Sequence, residues 1–106
     1  MILPQRAPKK IRVPIQVVGG AGTVPVQMTG YIKRISIDPV NPGDTFEWAI
    51  IDKDGDGVDG VNSPVTGPQT ISNMNDAVVV GMTFGISGAS ADGQYMVAIH
   101  FEDMSR

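Results

Sequence analysis

The segment Asp52-Lys53-Asp54-Gly55-Asp56-Gly57-Val58-Asp59 sets carboxylates at alternate positions with glycines among them. Carboxylates spaced in this way can fold back around one hard cation, and Ca²⁺ takes about six to eight oxygen ligands. Asp52, Asp54 and Asp56 are the candidate ligands, and their spacing matches the opening of a D-x-D-x-D-G calcium loop. The loop departs from that pattern at its end. Ser63 stands where an EF-hand would place its closing glutamate, and Gly60 stands where a thrombospondin-like acidic loop would carry another aspartate. Asp and Gly also build plain β-turns, since both tolerate positive φ and Asp bonds its own backbone. Calcium binding and a self-contained turn are both open for this loop.

Other residue types that could do chemistry are sparse. His100 is the single histidine, and the alternation around it sets it with Ala98 and Glu102, opposite Tyr95, Val97, Ile99 and Phe101. No G-x-S-x-G elbow supplies a nucleophile. Glu47 and Glu102 are the only glutamates, and nothing in their spacing favours a glycosidase pair. Gly19-Gly20-Ala21-Gly22 and Gly85-Ile86-Ser87-Gly88 lack both the following helix and the Gly-Lys-Ser/Thr of a phosphate loop, so they read as hairpin turns. Lys33 and Arg34 fall on opposite faces of a regular strand and are expected to make no patch. The expectation is a protein that is not an enzyme and has no cofactor beyond the Ca²⁺ option.

Size and charge narrow the classes further. A chain of 106 residues, 42% hydrophobic and 18% charged, suits one globular domain. With no cysteine, disulfides and thiolate metal sites are excluded. Apolar runs stay far below the roughly 20 residues of a membrane-spanning helix, so no bilayer crossing is expected. The first cations follow Met1-Ile2-Leu3-Pro4 instead of preceding it, the reverse of a secretion signal. Arg6, Lys9, Lys10 and Arg12 place four cations and no acid in the first twelve residues, leaving −7 on the rest of a chain whose total is −3. A basic arm on an acidic body is implied, and the acidic body argues against a nucleic-acid partner.

The elements that must position these groups are strands. Thirteen Gly and eight Pro make long helices improbable. Residues 1–10 hold two prolines and three cations and read as an extended arm, leaving 11–106 as the domain. Ile11 to Val17 alternates with period two, and Pro14 puts it at a sheet edge. Strands are predicted at Thr23 to Thr29, Tyr31 to Ile37, Thr45 to Ile51, Val65 to Ile71, Ala77 to Ser87 and Gln94 to Glu102, with turns between. Phe46, Trp48, Ile50, Tyr95, Val97, Ile99 and Phe101 are the predicted core. Short strands separated by turn chemistry, with no helical period, imply an all-β antiparallel β-sandwich, or alternatively a small β-barrel.

Gly30-Tyr31-Ile32-Lys33-Arg34-Ile35, the Pro39 to Pro42 turn, the run from Phe46 to Asp56 and the closing Gly93-Gln94-Tyr95-Met96-Val97 resemble small tailed-phage virion proteins. Some of those proteins decorate or cement a capsid. The resemblance implies a structural role in a virion, binding the major capsid protein or other virion subunits, and a homo-oligomer with a trimer among its options. It has no catalytic residues to transfer. Arg6, Lys9, Lys10 and Arg12 are then the expected partner-binding residues, laid across acidic neighbouring subunits. A Ca²⁺-stabilised adhesive or carbohydrate-binding module is the alternative.

Overall fold

Branched and aromatic residues at every second position cannot all face water, so each strand must bury one side against a second layer. In the computed structural model, which describes residues 7–61 and 63–103, that layer is a second sheet. Ten strands form in the order β1 (Ala7–Val17), β2 (Gly22–Pro25), β3 (Gly30–Asp38), β4 (Thr45–Ile51), β5 (Gly57–Gly60), β6 (Val65–Thr66), β7 (Gln69–Ile71), β8 (Asp76–Val78), β9 (Thr83–Ser87) and β10 (Gly93–Asp103). The first sheet runs β1-β10-β3-β7, with β8 also paired to β3. The second runs β2-β9-β4-β5, with β6 also paired to β4. Every ladder between strands is antiparallel, and the sheets pack as a β-sandwich with no closed barrel.

The core forms where the alternation places it. All seven predicted core residues are buried, none more than 6% exposed. The Phe46 ring meets Tyr95 edge to face with centroids 5.5 Å apart, joining β4 of one sheet to β10 of the other. Trp48 stacks on Phe84 of the neighbouring β9 at 5.9 Å and 9°.

Several boundaries differ from those the sequence predicts, and the strand expected from Thr23 to Thr29 ends already at Pro25. The strand expected from Ile11 begins at Ala7, and Ala7 to Lys10 pair with Asp103 to His100, so these four residues belong to the sheet and not to an arm. Prolines and cations did not prevent this because β1 is an edge strand. Pro8 and Pro14 share one parity, so their missing N–H groups fall on the same side of the strand, and an edge strand has one side with no ladder to donate to. Residues 1–6 of the expected arm, Arg6 included, lie outside the described residues.

Val65 to Ile71 and Ala77 to Ser87 each divide into two strands that serve different sheets. The first divides at Gly67, whose φ of +72° turns the chain from the second sheet to the first. In the second, Val79 and Val80 form an exposed turn closed by the Met82 N–H donating to the Val79 carbonyl at 3.2 Å. The alternation of Val78, Val80, Met82 and Phe84 therefore does not describe one face: Val80 is 64% exposed while the other three are buried.

Because Lys9 and Lys10 lie beside the ladder partners Phe101 and His100, truncation after Lys10 is expected to destabilise the domain. Loss of a few ladder hydrogen bonds, each worth about 1 kcal/mol net, sets the cost at about 1–2 kcal/mol. Urea denaturation of the truncated and full chains checks this; equal midpoints would return these residues to the status of an arm.

Candidate functional site

The acidic loop closes on itself. Asp52 Oδ1 accepts the backbone N–H groups of Asp54 and Asp56, both at 2.9 Å. The Asp52 N–H donates to the Asp56 carbonyl at 2.8 Å, and the Gly55 N–H donates to the Asp52 carbonyl at 3.0 Å. This is the Asx-type turn that a short aspartate side chain makes without any ion. Asp54 and Asp56 are exposed, and among the described residues no three of His, Asp and Glu gather where they could hold a metal. The polar stretch also contains β5, which its Asp- and Gly-rich composition does not announce, because Gly57 to Gly60 find ladder partners along β4.

The basic residues, by contrast, are brought together. In the ladders, Lys10 of β1 stands opposite His100 of β10, which stands opposite Arg34 of β3. Arg12 lies in the next row toward Ala98 and Ser36. Between His100 and Phe101 the register of β10 against β3 shifts by one, from Arg34 to Ile32, leaving Lys33 as the extra residue of a β-bulge. Ile32 and Ile35 are both buried three residues apart, so Lys33 and Arg34 both remain on the outer side. The expectation that these two cations face opposite ways is thereby overturned: it assumed an unbroken period of two, and the bulge inserts one residue.

The outer face of the first sheet thus carries Lys10, Arg12, Lys33 and Arg34 together. Lys9, Lys10, Lys33, His100 and Phe101 line an open depression at one end of it. Lys33 lies 3.6 Å from Glu102 Oε1, donates to the Asn75 side chain and sits 5.8 Å above the Tyr31 ring. Lys10, Arg12 and Arg34 have no acidic partner among the described residues. Of the expected partner-binding residues, Lys10 and Arg12 are therefore on this face, Lys9 is at its end, and Arg6 is outside the described residues.

His100 takes its character from this setting. Its Nε2 lies 3.2 Å from Arg34 Nη2, and a guanidinium can only donate, so Nε2 accepts and the ring is neutral. Burial, then the charges of Arg34 and Lys10, hold its pKa below the usual histidine value. A base in a catalytic triad has an acid to orient it; this ring has a cation.

Two further aspartates, Asp92 and Asp76, have carboxyls whose pKa values are shifted in opposite directions. Asp92 accepts the N–H of Gly19 on Oδ2 and that of Gly20 on Oδ1, both at 2.9 Å. Those amides are exposed by a hairpin turn with φ of +65° and +81°, and their bonds hold the carboxyl below its ordinary pKa. Of the two predicted glycine turns, this one forms. Gly85 to Ser87 of the other lie within β9. The Gly-Gly pair, which frees two adjacent amides, is the sequence signal for this site.

Asp76 of β8 lies close to Asp59 of β5, and its Oδ2 is buried with no hydrogen-bond partner among the described residues. A hydrogen bond to Asp59 that forms only while one of the two carboxyls is protonated, then burial and the Asp59 charge, push Asp76 up to about 6. The folded chain binds this proton more tightly than the unfolded chain does, so the pair contributes stability at low pH. That contribution is lost as pH rises from about 3.8 toward 6. His100 has the opposite sign: its contribution is lost as pH falls below the ordinary histidine value of about 6.5. Asp76→Asn is expected to stabilise the protein at pH 7 by about 1 kcal/mol, after discounting for solvent screening. Melting curves at pH 4 and pH 7 test this, and a gain that is equal at both would remove the carboxyl pair as its source.

Comparison with protein-family models finds none that matches, and comparison with curated proteins finds no relative.

Proposed function

We propose that the chain is a non-enzymatic structural subunit of a phage virion, a decoration or cement-type protein that docks on the capsid or on neighbouring virion subunits through the outer face of its first sheet. The observation that carries this reading is the grouping of Lys10, Arg12, Lys33 and Arg34 on one sheet face of a molecule whose net charge is −3. Cations gathered on one sheet face raise the association rate and select the partner's sign through their fields. Many such weak contacts, repeated by particle symmetry, add up to firm attachment. The sequence resemblance supplies the particle.

The test is co-sedimentation of the purified protein with phage capsids at low and high salt. Binding should fall with salt, and Lys33→Glu with Arg34→Glu should weaken it about tenfold or more, since two attractive contacts become repulsive. Capsid binding that ignores both salt and these substitutions would move the docking surface elsewhere. No capsid binding at any salt would end the virion reading.

A further inference from the structure

The outer face of the first sheet carries Lys10, Arg12 and Arg34, with Glu102 paired to Lys33 and Asp38 further along β3, and one edge of the second sheet carries a run of acids. Asp52, Asp54, Asp56 and Asp59 follow one another along the β4–β5 connection and β5, an edge strand of the second sheet. Asp54 and Asp56 sit at the exposed tip, with Lys53 the one cation among them. The outer face of the first sheet looks away from the second sheet, so a chain cannot lay this tip over its own Arg12 and Arg34. Among the described residues no ion pair joins the two regions. The acidic turn is also shaped before binding: Asp52 fixes it through the amides of Asp54 and Asp56, so little order is left to be lost on contact.

We propose that the partner of the basic face is a second copy of this chain, whose Asp54–Asp56 tip seats against Arg12, Arg34 and Lys10. This rests on the reading of that face as a docking surface and names its occupant. The contact joins two different patches, so it either closes as a pair that exchanges both contacts or propagates head to tail. Complementarity of sign steers the encounter and sets the orientation, and the arginines offer planar forks that match carboxylates.

A charge-swap experiment on the full chain tests it by sedimentation velocity. The wild-type protein should self-associate at about 0.01–0.02 M salt and revert toward monomer near about 0.5 M, where the screening length drops to a few ångströms. The face variant, Arg12→Glu with Arg34→Glu, and the tip variant, Asp54→Lys with Asp56→Lys, should each lose association at least tenfold. All four residues are exposed, and circular dichroism verifies that each variant folds. Mixed in equal amounts, the two variants present complementary signs at both contacts and should associate again.

Wild-type protein that stays monomeric at low salt, association that survives either double substitution, or a mixture that stays monomeric would each overturn the proposal. The tip variant keeps the basic face intact, so its binding to capsids reports on the virion reading separately from self-association.

Discussion

Replacing Trp48 by alanine is expected to lower the unfolding free energy by about 3–5 kcal/mol, a large share of the stability of a domain this size. The indole is 3% exposed and stacks on Phe84, and its strand neighbours Phe46 and Ile50 are fully buried. Both rings of the stack belong to the second sheet, on β4 and the adjacent β9. Truncation therefore removes one wall of a packed layer and leaves Phe84 without its partner. The surrounding strands are held by ladders on both sides of β4, which limits how far they can collapse into the space. Trp48→Phe, which keeps an aromatic face, should recover more than half of the loss. Denaturant midpoints decide the matter, and a cost below about 1 kcal/mol for alanine would mean that the indole is not part of a closely packed core.

Gly67→Ala is expected to cost about 2–4 kcal/mol at a position where no hydrophobic contact is lost. Gly67 holds φ at +72°, where an added side chain costs about 1–2 kcal/mol. Its Cβ would lie 2.6 Å from the Pro42 carbonyl oxygen, a backbone atom that cannot swing aside, so strain of about 1–2 kcal/mol adds to this. The corner is also anchored: the Gly67 N–H donates to the Asp44 carbonyl at 2.9 Å, and the buried Asp44 carboxylate accepts the Asn41 N–H at 2.9 Å. Through this corner the chain passes from β6 in one sheet to β7 in the other. Gly43→Ala serves as the control, since Gly43 has no positive φ and nothing within 4 Å of an added Cβ. There the change should be neutral or stabilising by up to about 1 kcal/mol, because alanine restricts the unfolded chain. Equal losses at both positions would remove the corner geometry as the cause.

What the sequence determined by itself is the set of residues that cannot face water. The span of β4 from Thr45 to Ile51, the alternation of Tyr95, Val97, Ile99 and Phe101 and the Gly19-Gly20 turn are local properties, written in side-chain period and backbone freedom. The all-β class and the buried aromatics follow from them, whereas the choice of a sandwich over the small barrel was made by the packing of the two sheets. Within the acidic loop, the aspartate turn that the residues allowed is formed by the two amides that Asp52 accepts.

Tertiary structure decided whatever depends on a partner strand. Ala7 to Lys10 became strand because β10 extends opposite them, although Pro8 and the two lysines suggested a free arm. Residues Ala77 to Ser87 divided because their two ends serve different sheets. The candidate site was decided at one point of register. A bulge opposite His100 turned Lys33 to the same side as Arg34, and pairing along β10 brought Lys10 and Arg12 beside them. A side chain's face is fixed by period two only while the ladder is unbroken, and breaks are set by the match between two strands distant in sequence, which neither strand encodes alone.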